Sequence, residues 1–373
     1  MLHRLLAWFD TRYSPVALAA DPRPPLGLWK FTFYFLSQFK AAFLLRIVLV
    51  AIGSVADAMM PVFVGLIVGM LAAPPGDIFA LHWRTFLWMI AVVAVIRPLT
   101  FFLDTVIRNH AIQPNLVDLV RWQSHWHVIR QSWTYFQNDF AGRIANKIMQ
   151  SGEAVESAVN PAIDAVWYAA VFVVVAIAVM AGLDWMLLVP IAIWLLLYGI
   201  LFSITMPLIA HHSEQLSEAK SVMTGRIVDS YTNIQTLKAF STGGHEDKYV
   251  ADSVLEHVAE FRKLMKVFTL MWSTLFVLNG ALVVSVTWIA LDGWNRGVLT
   301  AAAVATVIPF VLQIMNMSGW ILDMGSMIFR QVGNIRDSME TIAQPITMLD
   351  PPGAPALVVK EGRIEFDNVT FNY

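Results

Sequence analysis

Residues Trp185–Ala210 read WMLLVPIAIWLLLYGILFSITMPLIA and contain no charged side chain. A bilayer-spanning helix needs about 20 mostly apolar residues at about 1.5 Å each, so this stretch alone is long enough to cross a membrane. The residues after it carry the second half of the reading. Leu216, Ala219, Met223, Ile227, Tyr231 and Ile234 recur every three or four positions, which is the spacing of a helix with one polar face. The helix therefore runs on out of the membrane into water. It breaks at Thr242-Gly243-Gly244 and resumes from His245 to Met265 with mixed charge. Helices of roughly 40 residues, about 60 Å long, reach well past the ~30 Å hydrocarbon layer.

Composition agrees with that reading along the whole chain. Of 373 residues 57% are hydrophobic and 14% charged, with a mean hydropathy of +0.62. A soluble protein carries roughly 25% charged residues. The net charge of −2 offers no basic field for nucleic acid, and the lack of cysteine excludes disulfides and thiolate metal sites. Residues 1–13 carry Arg4, Asp10 and Arg12 without a sustained apolar run, so no signal peptide is read there.

Three more stretches are free of charge, Ala165–Leu183, Val267–Leu291 and Gly297–Leu322. Two others carry a single charge each, Ile47–Ala73 with Asp57 and Thr85–Leu103 with Arg97. The expected fold is thus an all-α membrane protein of six spans. Short connections at Pro74–Asp77, Gly182–Asp184 and Asp292–Arg296 alternate with long ones at Asp104–Asp164 and His211–Lys266. Of 25 Lys and Arg, all but Arg84, Arg97 and Arg296 fall in the N-terminal segment, the long connections and the stretch after span 6. Positive charge marks the cytoplasmic side, so both termini and both long connections are expected there. Trp83, Trp185 and Trp294 lie near the opposite face, where an aromatic belt belongs.

Outside the spans, residues 1–25 form an N-terminal cytoplasmic segment closed by Asp21-Pro-Arg-Pro-Pro25. Residues 26–40, rich in aromatics with Lys30 and Lys40, suit a helix lying in the membrane interface. The membrane domain occupies 41–345, and Pro345, Pro351, Pro352 and Pro355 mark a linker over 346–360. In 361–373 Ile364 and Phe366 alternate with Arg363, Glu365 and Asp367, then the apolar parity slips to Val369, Phe371 and Tyr373. Alternation marks strand and the slip marks a bulge or tight bend. A short β segment, the start of a second and water-soluble domain at which the chain breaks off, is expected there.

Ionisable residues in a bilayer face a partner or a wet cavity. Asp57 lies 16 residues below Ala73 on span 1 and Arg97 lies 14 below Trp83 on span 2. Their depths differ by only about 3 Å, so we expect them to pair. Arg97 and Asp104 share a helix face and are candidates to line a cavity. Asp164 and Asp323, near the inner ends of spans 3 and 6, are candidates for the same cavity, but the reading preferred for both is that of headgroup-boundary acids that bind water. His125 and His127 fall on different faces of a helix and His211-His212 is no better spaced, so no metal site is read. Pro98, Pro190, Pro207 and Pro309 are tolerable inside spans because neighbours can satisfy the freed carbonyls.

Local motifs add a resemblance. Tyr135-Phe-Gln-Asn-Asp-Phe-Ala-Gly142 and Gly225-Arg-Ile-Val-Asp-Ser-Tyr-Thr-Asn-Ile-Gln-Thr-Leu-Lys-Ala-Phe240 look like the first and second intracellular turns of ABC exporters, and Glu361–Tyr373 is similar to the first strands of their nucleotide-binding domain. With the six spans and the interfacial helix, residues 26–373 resemble the six-helix half of an ABC exporter, truncated in its nucleotide-binding domain. Lys147, Gln150, Asp229 and Ala302 depart mildly from the usual pattern.

The resemblance implies short coupling helices at the hairpin tips, with Tyr135, Phe136, Asp139 and Gly142 in one, and Asp229, Tyr231, Asn233, Thr236 and Lys238 in the other. It implies that they press on ATPase domains; the residues alone allow equally that these aromatics pack the hairpins against their neighbours. It implies further that Tyr373 stacks on adenine, where the bland reading is a strand residue. It implies ATP and Mg in the full-length protein, a homodimer or heterodimer with a second half-transporter, and a bacterial inner (plasma) membrane. The substrate class expected is a lipid or hydrophobic compound moved out by alternating access. No Gly-x-x-x-x-Gly-Lys-[Ser/Thr] loop and no Gly-Lys pair occurs, so this chain alone is not expected to hydrolyse ATP. The rival reading, a secondary transporter or channel driven by an ion gradient, calls for broken half-helices or an internal repeat. Neither is evident.

Overall fold

A computed structural model describes residues 2–72, 76, 78–137, 139, 141–240, 244–347, 355, 358–359 and 361–370. Six helices are long and apolar enough to cross a membrane: span 1 (Leu28–Leu71), span 2 (Ile78–Val128), span 3 (Ala141–Leu183), span 4 (Trp185–Thr232), span 5 (Asp247–Asn295) and span 6 (Ala301–Ile342). A short helix, Leu2–Asp10, precedes them, and span 1 opens with the aromatic helix Leu28–Leu36 and a tight turn at Ser37–Phe39. In that opening helix Phe31 and Phe35 are buried while Trp29 and Phe33 face outward.

Spans 1, 2, 3 and 6 pack together, and spans 4 and 5 lie against each other along much of their length. One core runs through the first group at the end bearing the long connections, with Phe39, Leu49, Ile112, Leu116, Val155 and Ile335. A second, at the other end, joins spans 3 to 6 through Phe172, Trp194, Val286 and Phe310. Lipid is as apolar as these side chains, so close packing and interhelical hydrogen bonds hold the spans together. Trp194 Nε1 donates to Asn279 Oδ1 at 3.1 Å, and Asn279 Nδ2 donates to Ser318 Oγ at 2.9 Å, tying spans 4, 5 and 6. Spans 1 and 6 cross closely at Gly65, where an added Cβ would collide with Thr306 Oγ1 and lie 2.6 Å from Ala302 O.

Spans 2 and 3 are not uniform α-helix. They contain π-helical turns at Ala91–Ile96, Ile107–Ile112 and Ala162–Trp167. Two have a local cause. A proline inside a helix removes one hydrogen bond and crowds the carbonyl four residues earlier, and Pro98 and Pro114 crowd Ala94 and His110, both inside these turns. Widening the helix relieves the crowding. Asn115 Nδ2 then donates to the carbonyls of His110 and Ala111 at 3.2 and 3.1 Å, meeting the freed acceptors.

The expected β segment is not formed over 361–370, and there is no strand among the described residues. A strand exists through its neighbour's hydrogen bonds, and a lone ribbon buries too little apolar surface. Ile364, Phe366 and Val369 are accordingly exposed. The parity slip does coincide with a bend, because Asn368 has φ 46°, in the left-handed region that asparagine tolerates.

Candidate functional site

Spans 1, 2, 3 and 6 line an open cavity of about 570 Å³. Span 1 contributes Asp57, span 2 Arg97, Asp104 and Arg108, span 3 Asp164 and Tyr168, and span 6 Gln313, Asn316 and Trp320. All three π-turns border it: Arg97 follows the first, Arg108 lies in the second and Asp164 in the third. Such turns re-aim side chains and recur at functional sites.

One charge cluster lines the cavity and a second reaches it through Asp104, Arg108 and Asp164. In one, Arg97 Nε donates to Asp57 Oδ1 at 2.6 Å, and the Tyr168 hydroxyl donates to Asp57 Oδ2 at 2.6 Å. The other is centred on Arg46, whose side chain is 0% exposed. Its Nε donates to Asp104 Oδ1 at 2.8 Å, Nη1 to Asn160 Oδ1 and Nη2 to Asp164 Oδ1. Arg108 Nη1 donates to the second Asp164 oxygen at 3.0 Å, and Asn160 Nδ2 to Glu156 Oε1 at 2.7 Å. A buried guanidinium is tolerable when its donors are met by carboxylates in its own fork geometry. Arg46 thereby ties spans 1, 2 and 3 at one level.

Asp57 and Arg97 thus meet, as their depths in the sequence led us to expect, and Asp104 lines the same cavity. Asp164 corrects the reading of a water-bound boundary acid, since two arginines hold it. Asp323 does not line the cavity. Sequence reasoning missed Arg46, Arg108, Asn160 and Tyr168. Arg46 stands one residue before the apolar stretch of span 1 and looks like an ordinary flanking charge; the signal available was its position on the Asp57 helix, opposite an acid on each of two neighbouring spans.

The hairpin ends behave differently from each other. Between spans 2 and 3 lies a short helix, Trp133–Gln137, and between spans 4 and 5 another, Ile234–Phe240. Tyr135 is half-buried, its hydroxyl donating to Thr341 O at 3.0 Å beside the end of span 6. Burial, with the Asp139 charge assisting, holds its phenol above the usual range. Asp139 pairs with Arg143, and Gly142 has open space around it. Lys147 Nζ reaches Asp337 Oδ1 at 2.8 Å, and His127 and Gln131 meet the Gln344 carbonyl at 2.9 and 2.7 Å. The first hairpin is therefore strapped to span 6. In the second, Tyr231 and Phe240 are 72% and 85% exposed, Asn233 Nδ2 donates to Asp229 O at 3.1 Å, and Thr236 and Lys238 lie on or beside the exposed face. Phe136 is partly exposed. Tyr373 lies outside the described residues.

Among the described residues no group of three or more His, Asp or Glu side chains is arranged to hold a metal. This sequence holds no phosphate-binding loop of the Gly-x-x-x-x-Gly-Lys-[Ser/Thr] kind.

Comparison with known proteins fits this architecture. Residues 43–318 match the model of the ABC transporter transmembrane region. Across its full length the chain is 29% identical to an uncharacterized ABC transporter ATP-binding protein of Haemophilus influenzae and spans 61% of that protein. It is 26% identical over 168 residues, 44% of the chain, to an ATM1-type heavy metal exporter of Novosphingobium aromaticivorans, 27% of whose length is covered. A solved bacterial Atm1-family ABC exporter with ATP bound superposes with a TM-score of 0.68 over 86% of this chain and 56% of that one, at 16% identity, a likeness of fold. The chain spans less than two thirds of the length of each of these relatives. With six spans, long extended hairpins and a family match over most of its residues, this chain belongs to the ABC transporter transmembrane region family.

Proposed function

We propose that the chain is the membrane domain of an ATP-driven exporter, carrying a lipid or hydrophobic compound out of the cytoplasm or the inner leaflet by alternating access. The carrying observation is a cavity lined by charged side chains within the apolar spans 1, 2, 3 and 6, of which spans 2 and 3 run on beyond the bilayer to the first hairpin. Nucleotide-binding domains supply the energy, and 361–373 leads into one after the linker 346–360. The exposed aromatics Tyr231 and Phe240 suit docking on such a domain, since interfaces favour aromatic anchors. A push there travels along spans 4 and 5. A push on the first hairpin moves spans 2, 3 and 6 together, because Lys147, Tyr135 and His127 strap it to span 6. Two such chains, alike or different, make the working pump, with the hairpin ends in the cytoplasm of a bacterial inner membrane.

The test is uptake of a fluorescent lipid analogue into inside-out proteoliposomes of the full-length protein. Uptake should require hydrolysable ATP and survive a protonophore. Uptake that ignores ATP and collapses with the ion gradient would favour a secondary transporter and refute the proposal.

A further inference from the structure

Every acid at the cavity is paired with an arginine, while two of the arginines keep unused terminal nitrogens. All carboxylate oxygens of Asp57, Asp104 and Asp164 already accept from a protein donor: Asp57 from Arg97 and Tyr168, Asp104 from Arg46 Nε and Nη2, Asp164 from Arg46 and Arg108. Donors, by contrast, are left over. Among the described residues Arg97 meets a side-chain acceptor only through Nε, and Arg108 only through Nη1 and, to its neighbour Asn109, Nε. Both terminal nitrogens of Arg97 and one of Arg108 remain. These side chains are 37% and 34% exposed, unlike the enclosed Arg46. A guanidinium does not lose its proton in a protein, so these spare nitrogens remain donors at every ordinary pH.

The surroundings of Arg97 are aromatic. Its guanidinium lies 5.7 Å from the Phe101 ring centre, and Tyr168 meets Trp320 edge to face at 6.2 Å. Eleven residues of helix separate Arg97 from Arg108, about 16 Å at 1.5 Å each. One acidic group cannot bridge both. The volume lies within the ~300–1,000 Å³ typical of small-molecule sites, where a few placed polar groups orient an apolar body.

We infer that this cavity takes an organic anion with an apolar or aromatic body, its carboxylate or phosphate held by the terminal nitrogens of Arg97 and its body against Phe101, Tyr168 and Trp320. Arg108, about 16 Å nearer the hairpin end, offers a second spare donor. A cationic compound is served less well, since each acid's charge is already paired with an arginine. The inference names the cargo class of the exporter proposed above and rests on that reading only for the word cargo; binding stands by itself.

The test is binding without ATP, on the full-length protein in phosphatidylcholine nanodiscs, with octyl phosphate and octyltrimethylammonium as probes sharing one tail. Octyl phosphate should raise the melting temperature and the ammonium should not. R97K keeps a cation for Asp57 but loses the planar fork, and should weaken octyl phosphate binding about tenfold, which is the loss of one charge-assisted hydrogen bond at about 1.4 kcal/mol. Asp57→Asn releases Arg97 from its partner and should tighten it, which keeps the inference testable if R97K folds poorly. Equal or stronger binding of the ammonium, or phosphate binding unmoved in both variants, overturns the inference. Repeating the titration with phosphatidylglycerol in the discs separates two sources of the same chemistry. A blunted response assigns the site to a lipid headgroup, and an unchanged one to a free organic anion. ATP-driven uptake without anion binding would sink this inference and leave the exporter proposal standing.

Discussion

Replacing Arg46 with methionine tests the clamp across spans 1, 2 and 3. The guanidinium is fully enclosed and is the only cation bonded to Asp104 among the described residues, whereas Asp164 also holds Arg108. Methionine retains much of the stem's volume, so the principal loss is charge. Removing one member of a buried pair costs about 3–5 kcal/mol because the other is left uncompensated. Asp104 is 14% exposed, which lets water relieve part of that, so R46M should cost about 3 kcal/mol, over a hundredfold in the unfolding equilibrium. Adding Asp104→Asn removes the stranded charge and should return about 2 kcal/mol, since replacing both partners is far milder than replacing one. The assay is SDS titration in mixed micelles followed by tryptophan fluorescence. An R46M protein within about 1 kcal/mol of the parent, or a double variant no better than R46M, would refute the clamp.

Other outcomes follow from the same geometry. Asp57→Arg and Arg97→Asp should each lower the yield of folded protein, and the double reversal should recover much of it by size-exclusion profile; no recovery would mean that the 2.6 Å contact is not what holds spans 1 and 2 in register. Gly65→Ala should destabilise by about 1–3 kcal/mol through overpacking against Ala302 O and Thr306, whereas Gly280→Ala, with nothing within 4 Å, should gain up to about 1 kcal/mol from helix propensity. Tyr135→Phe should loosen the first hairpin by about 0.5–1.5 kcal/mol, read as faster proteolysis there. Because burial holds the Tyr135 phenol above its ordinary value of about 10, its stabilising share is complete below that pH and declines as the pH rises through the higher folded value. The alkaline decline should be smaller in Tyr135→Phe.

Much of the site's content was legible by depth and little of it by partner. Counting residues from the ends of the apolar stretches put Asp57 and Arg97 at one level, because helical rise is uniform enough to serve as a ruler. The same count could not say that Asp164 is shared by Arg46 and Arg108, since that depends on how three helices rotate about their axes. The π-turns at Ile107–Ile112 and Ala162–Trp167 shift that rotation locally, and only the first has a proline that crowds a carbonyl inside it. For Tyr135 the residues allowed docking or packing, and its hydroxyl is found on the carbonyl of Thr341.

The sequence by itself determined the six spans, their helical extension beyond the bilayer, the alternation of short and long connections and the absence of a phosphate-binding loop. These are properties of local composition and period, because each span satisfies its backbone hydrogen bonds within itself. Only the tertiary structure decided that Arg46 is the hub of a charge cluster, that Tyr135 is held by span 6 while Tyr231 and Phe240 stay exposed, and that the engaged acids leave arginine donors facing a cavity. The same distinction explains residues 361–370. Their alternation encodes a strand's preference, but a strand's hydrogen bonds belong to its neighbour, and among the described residues no neighbouring strand is there.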